Sequence, residues 1–409
     1  MLLKLAYRNV FRNFRRSLLT FLAISIGISV GLLFIGVTLG FERQSIMLSV
    51  RTNTGHIKIH EKGYIDEELT LTLDYTIDNT DEVLHTLDAV PGITSTAERI
   101  LFPASLTDGV DELRLNGIGI NTERENEVYG LEQKLLRGEF LNPGEEKVLL
   151  TDVLADLFSV DTGESLTLIA RTKYGAINAL DLEIAGIVHV GNPEVDNLNF
   201  FIPLDIAQDF LEMDNMVTEI VVMGESMDTA EKLSSEIAAA LSDGTFDIVT
   251  WEYMQRDLIR LYNLRARARW LLNMILLLMA GAGVMNTLLM SIFERTAEIG
   301  TLMAMGLRRK RIMLLFIFEG MFLGIFGSLV GCIVGGSVTY YFKFNGINIE
   351  VFGTSSFGNL PTSQYMYTEI TLAYLAAAFV LGIVIAMLSA AYPATRGARL
   401  QPTEALRYV

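Results

Sequence analysis

Apolar residues are gathered into four long, nearly continuous runs, which polar stretches of very unequal length separate. A helix rises about 1.5 Å per residue, so about 20 apolar residues cross the hydrocarbon core of a bilayer. The runs therefore predict four transmembrane helices, at 18–41, 270–292, 312–342 and 370–392. The polar stretch at 42–269 is long enough to fold as a domain of its own.

A basic leader at 1–17 precedes the first run, as it does in a secretory signal peptide. The run is longer than the apolar core of a cleaved signal, about 7–15 residues, and no A-x-A-like site follows it. We therefore expect an uncleaved anchor. Lys4, Arg8 and Arg12 recur at i, i+4 spacing opposite an apolar face, which indicates an amphipathic helix in the headgroup layer. Flanking positive charge alone would explain the same residues.

Lys and Arg near the ends of the spans predict their orientation, because cytoplasmic segments carry the excess. The leader holds five, the loop 293–311 five and the tail 393–409 three. We assign these segments to the cytoplasm, and the 42–269 domain and the loop 343–369 to the extracytoplasmic side. The basic residues are Lys4, Arg8, Arg12, Arg15, Arg16, Arg295, Arg308, Arg309, Lys310, Arg311, Arg396, Arg399 and Arg407.

The predicted extracytoplasmic domain is acidic, with 42 Asp and Glu against 18 Lys and Arg between Phe41 and Arg269. This charge argues against nucleic acid or anionic lipid as its ligand, and a well-hydrated surface is sufficient to explain it. Arg265, Arg267 and Arg269 depart from the pattern beside the second span. Anchoring to headgroup phosphates or a gate would account for them.

Within 42–269, strand-like alternation and helix-like segments follow one another, which predicts an α+β fold. The segments 42–50 and 253–264 are predicted to be helical stalks that join this domain to the spans. Thr80 is the predicted N-cap of the helix at 81–87. The other predicted helices are 154–158 and 228–241, and the predicted strands are 56–60, 148–150, 165–169, 184–188, 199–202 and 219–222.

Motifs for catalysis are missing from the sequence. It has no G-x-S-x-G, H-E-x-x-H or paired C-x-x-C, and without a Gly-Lys dipeptide it cannot form the phosphate loop G-x-x-x-x-G-K-[ST]. His56 and His60 would share a strand face but lie about 13 Å apart, so we expect no metal site. The single cysteine, Cys332, excludes an intrachain disulfide. We expect no catalytic residues and no bound cofactor, and any ATP must be used by a partner.

Two intramembrane features indicate helix packing or function. Glycines four residues apart let helix backbones approach closely. Glu319 lies within the third span, where a carboxylate is costly. It is either functional, or it snorkels or hydrogen-bonds to a neighbouring helix near the interface. The glycine pairs are Gly27/Gly31, Gly36/Gly40, Gly320/Gly324, Gly327/Gly331 and Gly331/Gly335.

The loop 293–311 contains a short amphipathic pattern. Glu294 and Glu298 share one helix face, Ile299 and its apolar neighbours share another, and Gly306 can close the helix. An apolar ridge with charges that fix its register suits docking into a groove of a cytosolic partner.

These residues carry a family resemblance. The stretch E-R-T-A-E-I-G-T-L-M-A-M-G at 294–306, with F-E-G at 318–320 and the ending Q-P-T-E-A-L-R at 401–407, resembles the permease signature of the MacB/FtsX superfamily of ABC transporters. The segments V-P-G-I at 90–93, L-R-G-E-F-L at 136–141 and 154–168 resemble the MacB periplasmic core domain.

The resemblance implies a permease dimer, of two copies or with a paralogue, driven by a separate ABC ATPase dimer that binds ATP-Mg. It also implies mechanotransmission, in which closure in the cytosol moves the ectodomain without passing substrate through a central channel. The residues expected to couple to the ATPase are Glu294, Arg295, Glu298, Ile299, Gly300, Leu302 and Gly306.

Within that superfamily, G-F-E-R at 40–43 and G-H-I at 55–57 resemble the lipoprotein-releasing (LolC/LolE-like) permeases. This implies extraction of lipoproteins or another amphiphile from the outer leaflet of the bacterial inner membrane, with both chain termini cytoplasmic. Leu39, Phe41, Leu271 and Met274 would line a cavity that opens to that leaflet.

Two alternatives stay open: efflux of small molecules or peptides through an adaptor, and signalling to an extracytoplasmic hydrolase. The expected partners are the ATPase, a second permease, the cargo, membrane lipid and a periplasmic adaptor or chaperone, but no nucleic acid. A secondary transporter is disfavoured, since the chain has four spans and no repeated halves.

Overall fold

The computed structural model describes residues 2–12, 14–65, 71–241, 244–348 and 365–399. In chain order, the helices are α1 (Leu2–Arg12), α2 (Phe14–Ser49), α3 (Thr80–Asp88), α4 (Thr122–Tyr129), α5 (Asp152–Phe158), α6 (Pro193–Asp196), α7 (Leu204–Leu211), α8 (Ala230–Ala240), α9 (Trp251–Met254), α10 (Arg256–Glu294), α11 (Thr296–Ala304), α12 (Arg309–Asn345) and α13 (Leu372–Ala398). The strands are β1 (Ile57–Glu61), β2 (Ile77–Asp78), β3 (Ile93–Thr107), β4 (Glu112–Ile120), β5 (Leu135–Gly138), β6 (Lys147–Thr151), β7 (Ser165–Arg171), β8 (Ile177–Val188), β9 (Asn199–Pro203), β10 (Met216–Val217), β11 (Glu219–Gly224), β12 (Phe246–Thr250), β13 (Ile347–Asn348) and β14 (Tyr365–Met366).

The chain divides into two compact units. The membrane unit comprises the described parts of Met1–Arg43, Leu261–Val351 and Gln364–Val409, and the α+β domain comprises the described parts of Gln44–Arg260. Each unit has a hydrophobic core of its own. The predicted fold class, a helical membrane domain with an inserted α+β domain, is confirmed.

Among the described residues, four helices of the membrane unit are long and apolar enough to cross a bilayer: α2, α10, α12 and α13. Mean hydropathy over their most apolar windows lies between 2.0 and 2.5. α2 continues past the end of its apolar run to Ser49, and α10 begins before its apolar run, at Arg256. The predicted stalk at 253–264 is interrupted, because α9 ends before Gln255 and a new helix begins after it.

Glycines set the closest approaches between these helices. A Cβ placed on Gly335 of α12 would lie 2.6 Å from the Cα of Ser29 on α2. A Cβ on Gly320, on the other side of α12, would lie 2.6 Å from the Cβ of Ala390 on α13. The four-residue spacing of glycines in α12 therefore brings backbone against backbone, as such spacing predicts.

The α+β domain is built on one mixed sheet, whose described strands run in the order β12-β1-β11-β3-β4-β9-β6-β8-β5. β7 pairs with both β3 and β8, so that β3, β4, β9, β6, β8 and β7 form a closed ring of paired strands. The pairs β4–β9 and β6–β8 are parallel, and the others are antiparallel. Closing the ring protects strand edges that would otherwise be open to other chains.

Five of the six predicted strands lie within β6, β7, β8, β9 and β11, and the sixth, 56–60, begins one residue before β1. The longest hairpin, β3–β4, is absent from the prediction; its turn holds Asp108, whose carboxylate accepts backbone N–H groups of Val110 and Asp111 at 2.8 and 2.7 Å. The N-cap prediction is wrong by one residue, because Asn79 takes that position with φ 51° and Thr80 is already helical.

One face of the sheet holds a buried network of charges. Lys58 on β1 donates to Glu219 on β11 at 2.8 Å, and Arg99 on β3 donates to Glu125 on α4 at 2.9 Å. The Arg99 guanidinium also lies 4.0 Å from the ring centroid of Tyr129. All four charged side chains are less than 5% exposed. Because each charge is paired, its loss of hydration is offset.

The end of α2 is held by hydrogen bonds to this domain. After Ser49 the helix widens into a π turn, Val50–Thr54. The Tyr129 hydroxyl donates to the Asn53 carbonyl at 2.8 Å, and the Asn192 amide donates to Thr52 Oγ1 at 2.9 Å. The Gln255 amide, between α9 and α10, donates to Ser49 Oγ at 2.6 Å. Side chains from three separate segments therefore fix this turn.

His60 borders the charge network and is 1% exposed. Its ring stacks on Tyr64 at 4.5 Å, Nδ1 faces the Thr218 carbonyl at 3.1 Å, and Nε2 has no hydrogen-bond partner among the described residues. Burial lowers the pKa of His60 from 6.5 to about 4, with Lys58 adding to the effect and Glu219 opposing it.

We expect Gly335→Ala to destabilise the membrane unit by ~1–3 kcal/mol, because the added methyl group meets the α2 backbone rather than a flexible side chain. Thermal unfolding of the purified chain in detergent measures the effect. Gly283→Ala is the matched control, since its Cβ would lie at an ordinary 3.8 Å from Ala23. Equal melting temperatures for the two variants would contradict close packing at Gly335.

We expect His60 to make the α+β domain less stable in acid. Between pH 6.5 and about 4, His60 is protonated in the unfolded state but neutral in the folded state. The free energy of unfolding therefore falls as pH falls, by roughly 3 kcal/mol in all. Unfolding followed against pH should give a flatter profile for His60→Gln than for the wild type. His85→Gln, at an exposed position on α3, should keep the wild-type profile. Parallel profiles for His60→Gln and wild type would rule out this source of pH dependence.

Candidate functional site

The residues of the predicted coupling loop form a sharp corner at one end of the membrane unit. α10 ends at Glu294, Arg295 leaves the helical region with φ −105°, and α11 begins at Thr296. The corner separates Glu294 and Glu298 onto different helices, whereas the sequence pattern placed them on one face. α11 ends at Ala304, and Gly306 follows two residues later with a φ of 89° that suits glycine. The Gly306 N–H donates to the Met303 carbonyl at 3.0 Å.

The apolar side of α11 faces the membrane unit. Ile299 is 3% exposed and belongs to a cluster with Ile292, Ile312 and Phe316, against which Met303 also packs. The expected ridge for a partner's groove is thus occupied within the chain, because these side chains fill the space between α10 and α12. The side of α11 that stays exposed carries Ala297, Glu298, Thr301 and Ala304.

Glu319 of α12 lies at the centre of this end of the unit and is 3% exposed. Its Oε1 accepts from the Asn9 amide of α1 at 2.6 Å and from the Arg295 guanidinium at 3.3 Å. The structure therefore supports the interpretation that Glu319 is hydrogen-bonded to neighbouring helices. Three segments far apart in sequence meet at one carboxylate, which holds the corner in place.

Glu298 continues the network at the surface. Arg12 of α1 donates to both of its carboxylate oxygens at 2.7 Å, and the Nε of Arg295 lies 3.3 Å from Oε2. Hydrogen bonding from Arg12, assisted by the charge of Arg295, lowers the pKa of Glu298 below its ordinary value. Glu298 is thus held ionised in an exposed position.

The seven predicted coupling residues all lie at this corner, but their exposure differs, and their role in coupling stays a prediction. Asn9 and Arg12 belong to the same cluster and were not predicted; the i, i+4 basic pattern of the leader was the signal for Arg12. Exposed are Glu294, Glu298 and Gly306; buried are Arg295, Ile299 and Gly300; Leu302 is half-buried.

A second feature of the membrane unit is a cavity of about 320 Å³ between α2, α10 and α13. Apolar side chains such as Ile28, Leu277 and Leu381 line it, and Arg269 and Asn273 supply polar groups. Among the four residues predicted for a substrate cavity, Met274 lines this one. The lining does not include Leu39, Phe41 or Leu271; Leu271 is 58% exposed.

Two of the unexplained arginines have partners. Arg269 forms an ion pair with Glu42 of α2 at 2.7 Å, and both side chains are largely buried. The guanidinium of Arg265 lies 5.9 Å from the ring centroid of Tyr262. Arg269 is therefore a charge held between α10 and α2 at the cavity, with its own counter-ion.

Two family models match the chain in succession. The model described as MacB-like periplasmic core domain matches residues 17–240, and the model described as FtsX-like permease C-terminal matches residues 270–402. The first covers more than half of the sequence and includes the α+β domain through α8. The second covers α11, α12 and α13 and most of the part of α10 in the membrane unit.

Curated relatives extend the similarity over the full length. The lipoprotein-releasing system transmembrane protein LolC of Neisseria meningitidis serogroup B is 23% identical, over 98% of this chain and 96% of its own. LolC of Xylella fastidiosa is 27% identical over 71% of this chain and 72% of its own. The macrolide export ATP-binding/permease protein MacB of Campylobacter jejuni is 26% identical over 98% of this chain but 60% of its own.

We expect Glu319→Leu to destabilise the chain by about 3–5 kcal/mol, because it removes the buried partner of Arg295 and leaves that guanidinium to the exposed carboxylate of Glu298. The double variant Arg295→Met/Glu319→Leu should be less destabilised than the sum of the single variants. A double-mutant cycle of thermal unfolding in detergent measures this coupling. The exposed Arg137–Asp161 pair, replaced by alanines, is the control and should show about 1 kcal/mol or less. Additive effects at Arg295 and Glu319 would contradict the buried pair.

Proposed function

Because the chain belongs to the MacB/FtsX superfamily of ABC transporter permeases, we propose that it extracts lipoproteins or another amphiphile from the outer leaflet of the bacterial inner membrane. It does so as the membrane subunit of an ATP-driven, mechanotransmitting transporter. The full-length match to LolC supports this cargo class, since 96% of that relative is covered.

The cavity between α2, α10 and α13 is the observation that carries the amphiphile proposal. A volume of about 320 Å³ with a mostly apolar lining suits part of an acyl chain. Arg269 and Asn273 add hydrogen-bond donors within the same lining, which suit an ester or headgroup oxygen. A ligand with an apolar chain and a polar end would therefore contact both the apolar and the polar residues of the lining.

ATP hydrolysis is proposed to come from a separate ABC ATPase dimer, which binds ATP-Mg; this chain itself would bind no cofactor. Its sequence has no Gly-Lys dipeptide and so no phosphate loop. The MacB relative, named as an ATP-binding/permease protein, has two fifths of its length outside the match. A second permease chain would complete the dimer.

Coupling to that ATPase is proposed at the corner of α10 and α11. The exposed face of α11 offers Glu298 as a fixed negative charge beside Ala297 and Thr301. Its buried face is packed on α10 and α12 through Ile299. Pressure on the exposed face would therefore move the whole corner rather than a loose loop. The excess of Lys and Arg at this end of the unit supports a cytoplasmic location for it and for both termini.

Efflux through an adaptor is the second candidate function, favoured by the MacB relative, which matches 98% of this chain. In that case a soluble extracytoplasmic partner would dock on the α+β domain, and the cargo would be a small molecule or peptide.

We expect Glu298→Lys to abolish ATP-dependent release while leaving the fold intact. The assay is release of a purified lipoprotein from vesicles that contain the chain and its ATPase, and ATP-dependent release should fall to the level seen without ATP. Glu123→Lys, the same charge change at an exposed position of α4, is the matched control and should release normally.

A second variant separates docking from the internal ion pair. Arg12→Glu/Glu298→Lys restores an ion pair between these positions but keeps the reversed charge on α11. If the ATPase docks at Glu298, this double variant should still show no ATP-dependent release. Normal release by Glu298→Lys, or full rescue by the double variant, would refute docking at Glu298; wild-type release of no lipoprotein would refute the cargo class.

A further inference from the structure

Three potential metal ligands converge in the α+β domain. Asp152 opens α5 directly after β6, and His189 directly follows β8. β6 and β8 are parallel neighbours in which Thr151 pairs with Val188, so the next residue of each strand lies side by side. Asp196, at the end of α6, completes the group, and one ligand atom from each residue lies within 4.8 Å of the others.

Hydrogen bonds from the backbone fix the position of one member of this cluster, Asp196. Asp196 is 3% exposed, and its two carboxylate oxygens accept the backbone N–H groups of Val190 and Gly191, each at 2.9 Å. Thr151 Oγ1 donates to the Asp196 carbonyl at 2.6 Å. A carboxylate oxygen keeps lone pairs after one such bond, so these contacts orient Asp196 without exhausting it.

The charges of the cluster are unbalanced. Two carboxylates meet one imidazole, and Nδ1 of His189 lies at hydrogen-bond distance, 2.9 Å, from Oδ2 of Asp152. The nearby cation Lys134 acts on Asp196 through its charge but forms no ion pair within 4 Å of it in the described residues. A divalent cation would supply the missing positive charge.

The donor set selects the kind of ion. One imidazole nitrogen with two carboxylate oxygens suits Zn²⁺ and neighbouring first-row ions, whereas Ca²⁺ and Mg²⁺ prefer oxygen ligands alone. Two ligands about 2.1 Å from a metal are roughly 3–3.4 Å apart, close to the 2.9 Å between His189 and Asp152. The side chains of His189 and Asp152 are 52% and 31% exposed, so an ion can enter from solvent.

We propose that Asp152, His189 and Asp196 form a site for a divalent transition-metal ion of the Zn²⁺ type, with water completing its coordination. The expectation of no metal site considered only the His56 and His60 pair, and this set of ligands is distributed over 45 residues of sequence. The site does not depend on the proposed transport function.

Metal binding would act on the segment that holds the end of α2. Asn192 lies between two of the ligands, and its side chain donates to Thr52 Oγ1 in a fully buried hydrogen bond of 2.9 Å. An ion bridging His189 and Asp196 closes the loop that carries Asn192 and restrains it. The ion therefore stiffens the anchorage of the π turn.

The test is metal binding by the full-length chain, purified in detergent with a histidine-free tag and stripped with chelator. Titration calorimetry with Zn²⁺ should give one equivalent, bound far more tightly than Mg²⁺ or Ca²⁺. Co²⁺ should give visible d–d absorption that Zn²⁺ displaces. His189→Gln and Asp152→Asn should each weaken Zn²⁺ binding at least about tenfold, as expected for loss of a ligand.

Two controls keep the outcome decisive. His85→Gln removes an exposed histidine elsewhere in the domain and should bind as the wild type does. Melting temperatures of the metal-free variants identify any that fail to fold; Asp196→Asn is avoided because that carboxylate holds backbone amides. The absence of saturable Zn²⁺ binding, or binding that survives both ligand substitutions, would overturn the site.

Discussion

A carboxylate in the apolar part of a membrane protein persists only where protein groups replace its water, and Glu319 is placed under this constraint. Asn9 and Arg295 supply the replacement from α1 and from the corner between α10 and α11. The corner, the leader helix and α12 are consequently held together by one buried acceptor. Because Arg295 also lies beside Glu298, a charge placed at the surface of α11 acts on the same network.

The α+β domain contains a comparable arrangement on one face of its sheet. Lys58, Glu219, Arg99 and Glu125 pair their charges across β1, β11, β3 and α4, and Tyr129 connects this layer to the π turn at the end of α2. Such a layer resists shear, since separating any pair leaves a buried charge exposed to an apolar environment. A displacement of the π turn would thus be carried into the sheet through Tyr129.

Sequence patterns predicted what depends on local composition. The four spans follow from apolar length, and the strands at β1, β6 and β9 from alternation or short apolar runs. The β3–β4 hairpin was missed although Asp108-Gly109 is a turn signal, because charged Glu98 and Arg99 interrupt its apolar pattern. Asn9, which donates to Glu319, lies 310 residues away from it in the sequence. This contact and the burial of Ile299 against α10 and α12 depend on tertiary structure, which no local pattern contains.

ATP-driven release of an acylated cargo is the central proposal for this protein. The direct measurement is to purify the chain with its ATPase from native membranes and to identify the bound proteins by mass spectrometry, before and after adding ATP. We expect acylated lipoproteins to co-purify with the chain and to leave when ATP is added. Their absence, with a soluble adaptor or hydrolase retained in both states, would contradict it.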